Sequence, residues 1–204
     1  MTQFRILETE ELHLAYKNVF KEAFPPSELK PLMAIKKMIR KGVYDVMGLF
    51  EEGIPRGYVC LWRDEPETSP FILLDYLCVP KEERSRGIGT QVIREIRSHY
   101  PPNTVFIVES EAEGDESVSR RLDFYKRSGG YIASYDTGLF GVHYKTIVFS
   151  NDYVSDDEVM ARHDGFYSRH MGGLIYKKYV QIPLKPDEKI HPYTEWREPR
   201  RKGE

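Results

Sequence analysis

Residues 71–79 form a near-continuous apolar run, Phe-Ile-Leu-Leu-Asp-Tyr-Leu-Cys-Val, interrupted only by Asp75 and stopped by Pro80. A strand that is apolar at successive positions must be covered on both faces, which places it inside a sheet. A helical pattern over 87–99 follows, with Ile88, Val92, Ile96 and Tyr100 on one side, and then a second apolar strand over 104–108. Strand, helix, strand in that order predicts a right-handed parallel crossover.

The flanking segments supply the rest of an α+β domain with helices on both faces of a sheet. A strand over 3–7 precedes a helix whose stripe is Leu12, Ala15, Tyr16, Val19, Phe20 and Ala23. Pro25-Pro26 ends that helix; Pro31 opens a second, with Leu32, Ile35 and Ile39 inward and Gly42 at its close. Strands over 43–50 and 58–62, with Glu52-Gly53 in the turn between, predict a hairpin, and 63–69 is a polar loop. A helix over 117–128 carries Val118, Leu122 and Tyr125 on one face and ends at Gly129-Gly130; strands over 131–135 and 141–149 complete the main domain, 1–150.

Past Ser150, Ser155 and Glu158 fit a capping box. A helix to His170 is expected there, weakened by Gly165, and then a strand over 174–182. This helix-strand extension, 151–182, could widen the sheet, cover a cleft or form a homodimer contact, and the residues leave these open. The charged stretch 183–204 is expected to be a mobile tail.

Of the 204 residues 40% are hydrophobic, enough for a core, which excludes disorder of the whole chain. No apolar stretch approaches the roughly 20 residues of a bilayer span, so a membrane association is not expected. The start, Met1-Thr2-Gln3-Phe4-Arg5, lacks the apolar region of a secretory signal, and Cys60 and Cys78 sit in apolar runs. Both are expected to be reduced core thiols of a cytoplasmic protein. Thirty basic residues against 32 acidic ones, a net charge of −2, give no reason to expect a nucleic-acid partner.

The chemistry is concentrated in Arg84-Ser85-Arg86-Gly87-Ile88-Gly89-Thr90, between the central strand and its helix. Two glycines at a helix start let the backbone approach a ligand, and the first-turn amides and the helix dipole favour an anion. With Arg84 and Arg86 beside them, they suit a pyrophosphate. There is no Gly-Lys-Ser/Thr of a P-loop, and Val92 stands where a dinucleotide fingerprint needs a third small residue.

Arg84, Gly87 and Gly89 fill the Arg/Gln-x-x-Gly-x-Gly/Ala pattern of the Gcn5-related N-acetyltransferase (GNAT) family, which this segment resembles. Leu77-Cys78-Val79-Pro80 is similar to the end of that family's fourth strand. The segment from Leu122 to Tyr131, with Phe124-Tyr125 and Gly129-Gly130, resembles its Phe-Tyr-x-x-x-Gly-Phe signature. The resemblance covers about 1–150. It implies a mixed, mostly antiparallel sheet with helices on both faces, and acetyl-CoA as co-substrate. It implies that the amides from Arg86 through Gly87, Ile88 and Gly89 to Thr90 hold the pyrophosphate. The backbone of Leu77 and Val79 would pair with the pantetheine arm, in a gap where the fourth and fifth strands splay. The acceptor would be a primary amine of a small molecule or peptide. A catalytically silent acyl-CoA-binding module is the alternative.

Acetyl transfer needs a neutral amine, hence a base, and an acid or donor for the departing thiolate. By the resemblance Tyr125 is the candidate acid, although it also lies on a packing face, and a backbone amide near Val79 is the oxyanion donor. Many family members carry an Asn seven residues before that tyrosine, where this chain has Val118. For the base, Glu109 at the end of the 104–108 strand leads, with Glu111 on the same face. Asp75, Glu28 and His143 are weaker substrate-side candidates. A metal site is not expected: there is no His-Glu-x-x-His, and His163 and His170 have no matched acidic ligand. Nor is there a Gly-x-Ser-x-Gly elbow. Arg200, Arg201 and Lys202 are offset by Glu195, Glu198 and Glu204, which suggests a solvated end.

Overall fold

The computed structural model describes residues 1–26, 28–64 and 70–192. Its strands are β1 (Thr2–Ile6), β2 (Tyr44–Glu51), β3 (Ile54–Arg63), β4 (Phe71–Cys78), β5 (Val105–Glu111), β6 (Tyr131–Leu139), β7 (Val142–Phe149) and β8 (Val180–Gln181). They form one sheet in the order β1-β2-β3-β4-β5-β7-β6-β8. The β4–β5 contact is parallel, as the strand-helix-strand order requires, and the other contacts are antiparallel. Between β2 and β3, Glu52 and Gly53 both have positive φ, 53° and 81°. That is the two-residue turn whose twist matches its flanking strands.

The helices are α1 (Thr9–Ala15), α2 (Lys21–Ala23), α3 (Leu32–Arg40), α4 (Ile88–His99), α5 (Glu116–Arg127), α6 (Asp156–His170) and α7 (Gly173–Tyr179). The expected first helix is not uniform: a π-helical turn, Tyr16–Phe20, separates α1 from α2. Ala15 and Phe20, five residues apart, are both buried. An α-helix would point them to different sides; a widened turn brings them to one.

β4 is covered on both faces. Phe71 and Leu73 belong to one core, with Phe20, Ile35, Tyr44, Ile107 and Phe166. Ile72 and Leu74 belong to the other, with Met47, Val59, Val92, Ile96, Phe106 and Phe149. The first core includes residues from beyond Ser150. In α6, Val159 and Phe166 are fully buried, and the Phe166 ring lies 5.0 Å from Trp62 and 5.9 Å from Phe71. Ser155 caps this helix by accepting a hydrogen bond from the Glu158 amide. Gly165 does not break it, and leaves room for the Arg169 guanidinium.

Two expectations about the C-terminal region need correction. Most of 174–182 is helical, as α7, and the strand is only Val180–Gln181. Tyr176 and Tyr179 turn inward while Leu174, Lys177 and Lys178 stay exposed, a spacing of three rather than the alternation of a strand. Residues 183–192 of the expected tail lie against β6: the Leu184 amide donates to the Asp136 carbonyl at 2.7 Å. Residues 193–204, including Arg200, Arg201 and Lys202, and 65–69 of the expected loop, fall outside the described residues.

Because Phe166 fills the first core, Phe166→Ala should cost about 3–5 kcal/mol. Chemical denaturation of the whole chain measures it; a loss under 1 kcal/mol would show that α6 is not part of the main core.

Candidate active site

The parallel pairing of β4 with β5 is short. It links Phe71 to Val105, Ile72 to Phe106 and Leu73 to Ile107, and stops. Beyond that point β4 stays on β3 as far as Cys78, and β5 stays on β7 as far as Glu111. Among the described residues the facing edges of β4 and β5 therefore have no strand partner. The parting coincides with a bulge: Cys60 and Leu61 stand opposite Tyr76 and Leu74, so Asp75 is an extra residue. A bulge bends its strand and raises its twist. The polar break in the apolar run is thus where β4 turns away from β5. Main-chain groups along such an edge need partners, and an extended ligand bearing amides can supply them.

At the end of this edge lies the glycine turn. After the 3-10 turn Lys81–Glu83 the chain passes through Ser85 at φ 63° and Gly87 at φ 80° into α4. Among the described residues, none of the amides from Arg86 to Thr90 has an intramolecular acceptor. These five donors sit at the positive end of a twelve-residue helix, the arrangement that binds a phosphate. The Arg84 Nε donates to the Val79 carbonyl at 3.1 Å, which ties the turn back to the strand end. Arg86 is exposed and pairs loosely with Glu83.

The two glycines are required for different reasons. A Cβ on Gly87 would meet nothing, so its left-handed φ is what favours glycine there. A Cβ on Gly89 would come within 2.9 Å of the Phe124 ring. Gly89 is therefore a close-packing position between α4 and α5, as well as an amide donor.

Across the gap, Asp75 on β4 and Glu109 on β5 each lie two residues beyond the last parallel pair, Leu73–Ile107. Both reach partners of the first core, but they are held differently. Asp75 accepts two hydrogen bonds of 2.7 Å from Lys30 Nζ and one from the Tyr44 hydroxyl. Glu109 accepts from His163 Nε2 at 2.8 Å and from the Tyr167 hydroxyl at 2.9 Å, and its side chain is 14% exposed.

Burial pushes the Tyr144 phenol up, and Glu109, Glu111 and Glu28, the last in the turn before α3, add to it, while Arg121 opposes them. The Glu28 carboxyl is itself pushed up, chiefly by burial and then by Glu111. These groups form an acidic rim around Tyr144. His143 is not among them. It lies next to Tyr144 in β7, so it points to the opposite face, where Nε2 meets Asp136 at 2.8 Å and Nδ1 meets Glu113 at 3.4 Å. Among the described residues no group of His, Cys, Asp and Glu could hold a metal ion.

No protein-family model matches the chain. The fold matches that of a GNAT-family protein from Bacteroides thetaiotaomicron with a TM-score of 0.67, at 19% identity, over 81% of this chain and 96% of that one. This chain has the GNAT fold. The same fold is shared with Arabidopsis thaliana NAA60 in complex with acetyl-CoA (TM-score 0.57, 13% identity, 74% of this chain and 99% of that one). It is also shared with Arabidopsis thaliana Naa50 bound to the bisubstrate analogue CoA-Ac-MVNAL (TM-score 0.56, 13% identity, 73% and 98%). In sequence, YjbC of Bacillus subtilis, provisionally named an acetyltransferase, is 26% identical over 106 residues, 52% of this chain. The match spans about half the length of that relative, 51%.

On this GNAT fold Tyr125 is buried in the second core, with ring contacts to Phe124 at 5.0 Å and Phe149 at 6.3 Å. Its hydroxyl makes no hydrogen bond among the described residues. Burial pushes the phenol up to about 12, with Arg121 opposing. Val118 is buried beneath Gly114 and offers no polar group, so the contact of the family's Asn has no counterpart from this position. His163 and Tyr167, the partners of Glu109, were not legible as site residues. Their signal was the stripe Val159, His163, Phe166, Tyr167 and His170 at helical spacing, which shows a buried face but not what it meets.

Gly89→Ala should destabilise the chain by about 1–3 kcal/mol through contact with Phe124. Adding Phe124→Leu should recover part of the loss in thermal melts. Additive losses would show that the Gly89–Phe124 approach is not the cause.

Proposed function

We propose that this chain is an acetyl-CoA-dependent N-acetyltransferase, passing the acetyl group to a primary amine of a small molecule or peptide within a ternary complex. One observation carries the reading: the open edge of β4 leads directly to five amides that have no acceptor among the described residues, at the start of α4. A flexible arm with amide groups ending in a pyrophosphate satisfies both. The amides from Arg86 to Thr90 take the phosphates, with Arg84 and Arg86 adding charge. The strand edge at Leu77 and Val79 takes the arm.

The acceptor enters from the face bearing Glu28, Glu109 and Glu111, whose charges favour an ammonium. Glu109 then removes a proton, directly or through one water, because an amine with a reference pKa of about 10.4 is mostly protonated near neutrality. The neutral nitrogen attacks the thioester carbonyl. The Val79 amide, which has no acceptor among the described residues, is placed to donate to the oxyanion. Collapse breaks the carbon–sulfur bond and releases the thiolate, and the proton still carried by the attacking nitrogen passes to solvent as the amide forms. Tyr125, pushed up to about 12, is a weaker acid than a thiol at about 8.5. It serves better by donating a hydrogen bond to the thiolate than by giving up its proton.

Acetyl-CoA at a hundredfold excess over its dissociation constant should stabilise the protein by about 2.7 kcal/mol in thermal melts, and NAD should not. Thiol release with a panel of amines, amino acids, polyamines and peptides should then rise above hydrolysis for at least one. Protection without release from any acceptor would favour the silent acyl-CoA-binding module. Tyr125→Phe should lower turnover about 10- to 100-fold while leaving acetyl-CoA protection intact. Turnover at the wild-type level would make Tyr125 a packing residue only.

A further inference from the structure

The mechanism above uses Glu109 but leaves its two partners unexplained. His163 is fully buried, an unusual place for an imidazole, and Tyr167 is 3% exposed. Both come from α6, beyond the 1–150 stretch that carries the family resemblance. Their contacts form a chain: the Tyr135 hydroxyl on β6 meets His163 Nδ1 at 3.2 Å, His163 Nε2 meets Glu109 Oε1 at 2.8 Å, and the Tyr167 hydroxyl reaches both Glu109 oxygens at 2.9 Å. Helix packing alone needs none of these polar atoms. An apolar side chain of similar size would fill the same space without the cost of burying an imidazole.

We infer that His163 and Tyr167 are positioning residues that fix the orientation of the Glu109 carboxylate at the mouth of the β4–β5 gap. This rests on the acetyltransferase reading above. With Tyr135 donating to Nδ1, the imidazole is the tautomer that donates through Nε2. Glu109 then receives hydrogen bonds from His163 and Tyr167 and keeps lone pairs on Oε2 for the incoming amine. Donors aimed at a carboxylate favour its charged state. The proton that Glu109 takes from the amine is later lost to solvent, and His163 and Tyr167 keep theirs throughout.

Other titratable groups lie around Tyr144 and Tyr167, beside this carboxylate. From β7 and β5 come Tyr144 and Glu111, and from the turn before α3 comes Glu28. Asp75 on β4, with Lys30 upon it, lies near Tyr167, and Arg121 on α5 opposes the acidic groups. Those groups are unchanged in the variants below, so a shift between variants reports on the two donors.

The experiment is the pH dependence of kcat/KM for thiol release in wild type, Tyr167→Phe, His163→Asn and His163→Gln, using whichever amine proves active. Tyr167→Phe keeps the ring and removes the donor. Asn is too short to reach Glu109 as Nε2 does, whereas Gln can place an amide N–H there. The first two variants should lose about tenfold or more in kcat with an unchanged KM for acetyl-CoA. Their acidic limb should move up by about one pH unit, because a carboxylate stripped of a donor binds its proton more tightly. His163→Gln should bring the limb back toward wild type. Acetyl-CoA protection in thermal melts certifies that each variant is folded, and Tyr167→Phe decides the matter if the His163 variants fail to fold. An unmoved limb in folded Tyr167→Phe overturns the positioning role while leaving the acetyltransferase reading standing. A wild-type protein that releases no thiol with any amine overturns both.

Discussion

The site depends on the parting of two parallel strands. β4 and β5 are joined by three residue pairs at their starts, and each is then drawn away by its antiparallel neighbour. Closing the gap would require β4 to lose its bulge at Asp75 and break register with β3. The cores on either side oppose that. Phe71 and Leu73 are fixed among the rings of Phe20, Tyr44 and Phe166 on one face, and Ile72 and Leu74 against α4 on the other. The open edge is thus held in place by well-packed apolar residues at its base.

The parting also separates two carboxylates that an unbroken ladder would place side by side. Asp75 and Glu109 occupy equivalent positions past the last pair, yet their surroundings differ in kind. Asp75 is matched by the Lys30 ammonium, which also lies 5.3 Å from the Trp62 and Tyr76 rings. Glu109 is held by a hydroxyl and an imidazole, and among the described residues no Lys or Arg is a hydrogen-bond partner of it. Two like residues on adjacent strands thereby acquire different chemical standing. One anchors the turn between the helices; the other is held by side chains of α6.

Local signals made much of this legible. The apolar run at 71–79, the glycine turn and the second buried strand fixed the crossover, and the pattern Arg84, Gly87, Gly89 pointed to the ligand-holding turn. Those features are written in contiguous residues. What was not legible depends on distant ones. That Gly89 is required by Phe124, that Asp75 is an inserted residue in the β3–β4 register, and that His143 points to the other face are facts of pairing between strands. The 174–182 segment reads as a strand by its apolar content, but Tyr176 and Tyr179 turn inward at helical spacing against the neighbouring structure. His163 and Tyr167 were hidden for a related reason: a helical stripe shows that a face is buried, and only tertiary structure shows that it lies on Glu109.

Helix α6 has a consequence for how such a chain can be shortened or spliced. Its aromatic face seals the trough beside Trp62 and Phe71 and carries the polar partners of Glu109, so packing and chemistry reside in the same few turns. A fragment ending at Ser150 would expose those rings to water and leave Glu109 without its donors in one stroke. Any descendant that discards this region must therefore acquire both a new lid for the trough and a new escort for the carboxylate.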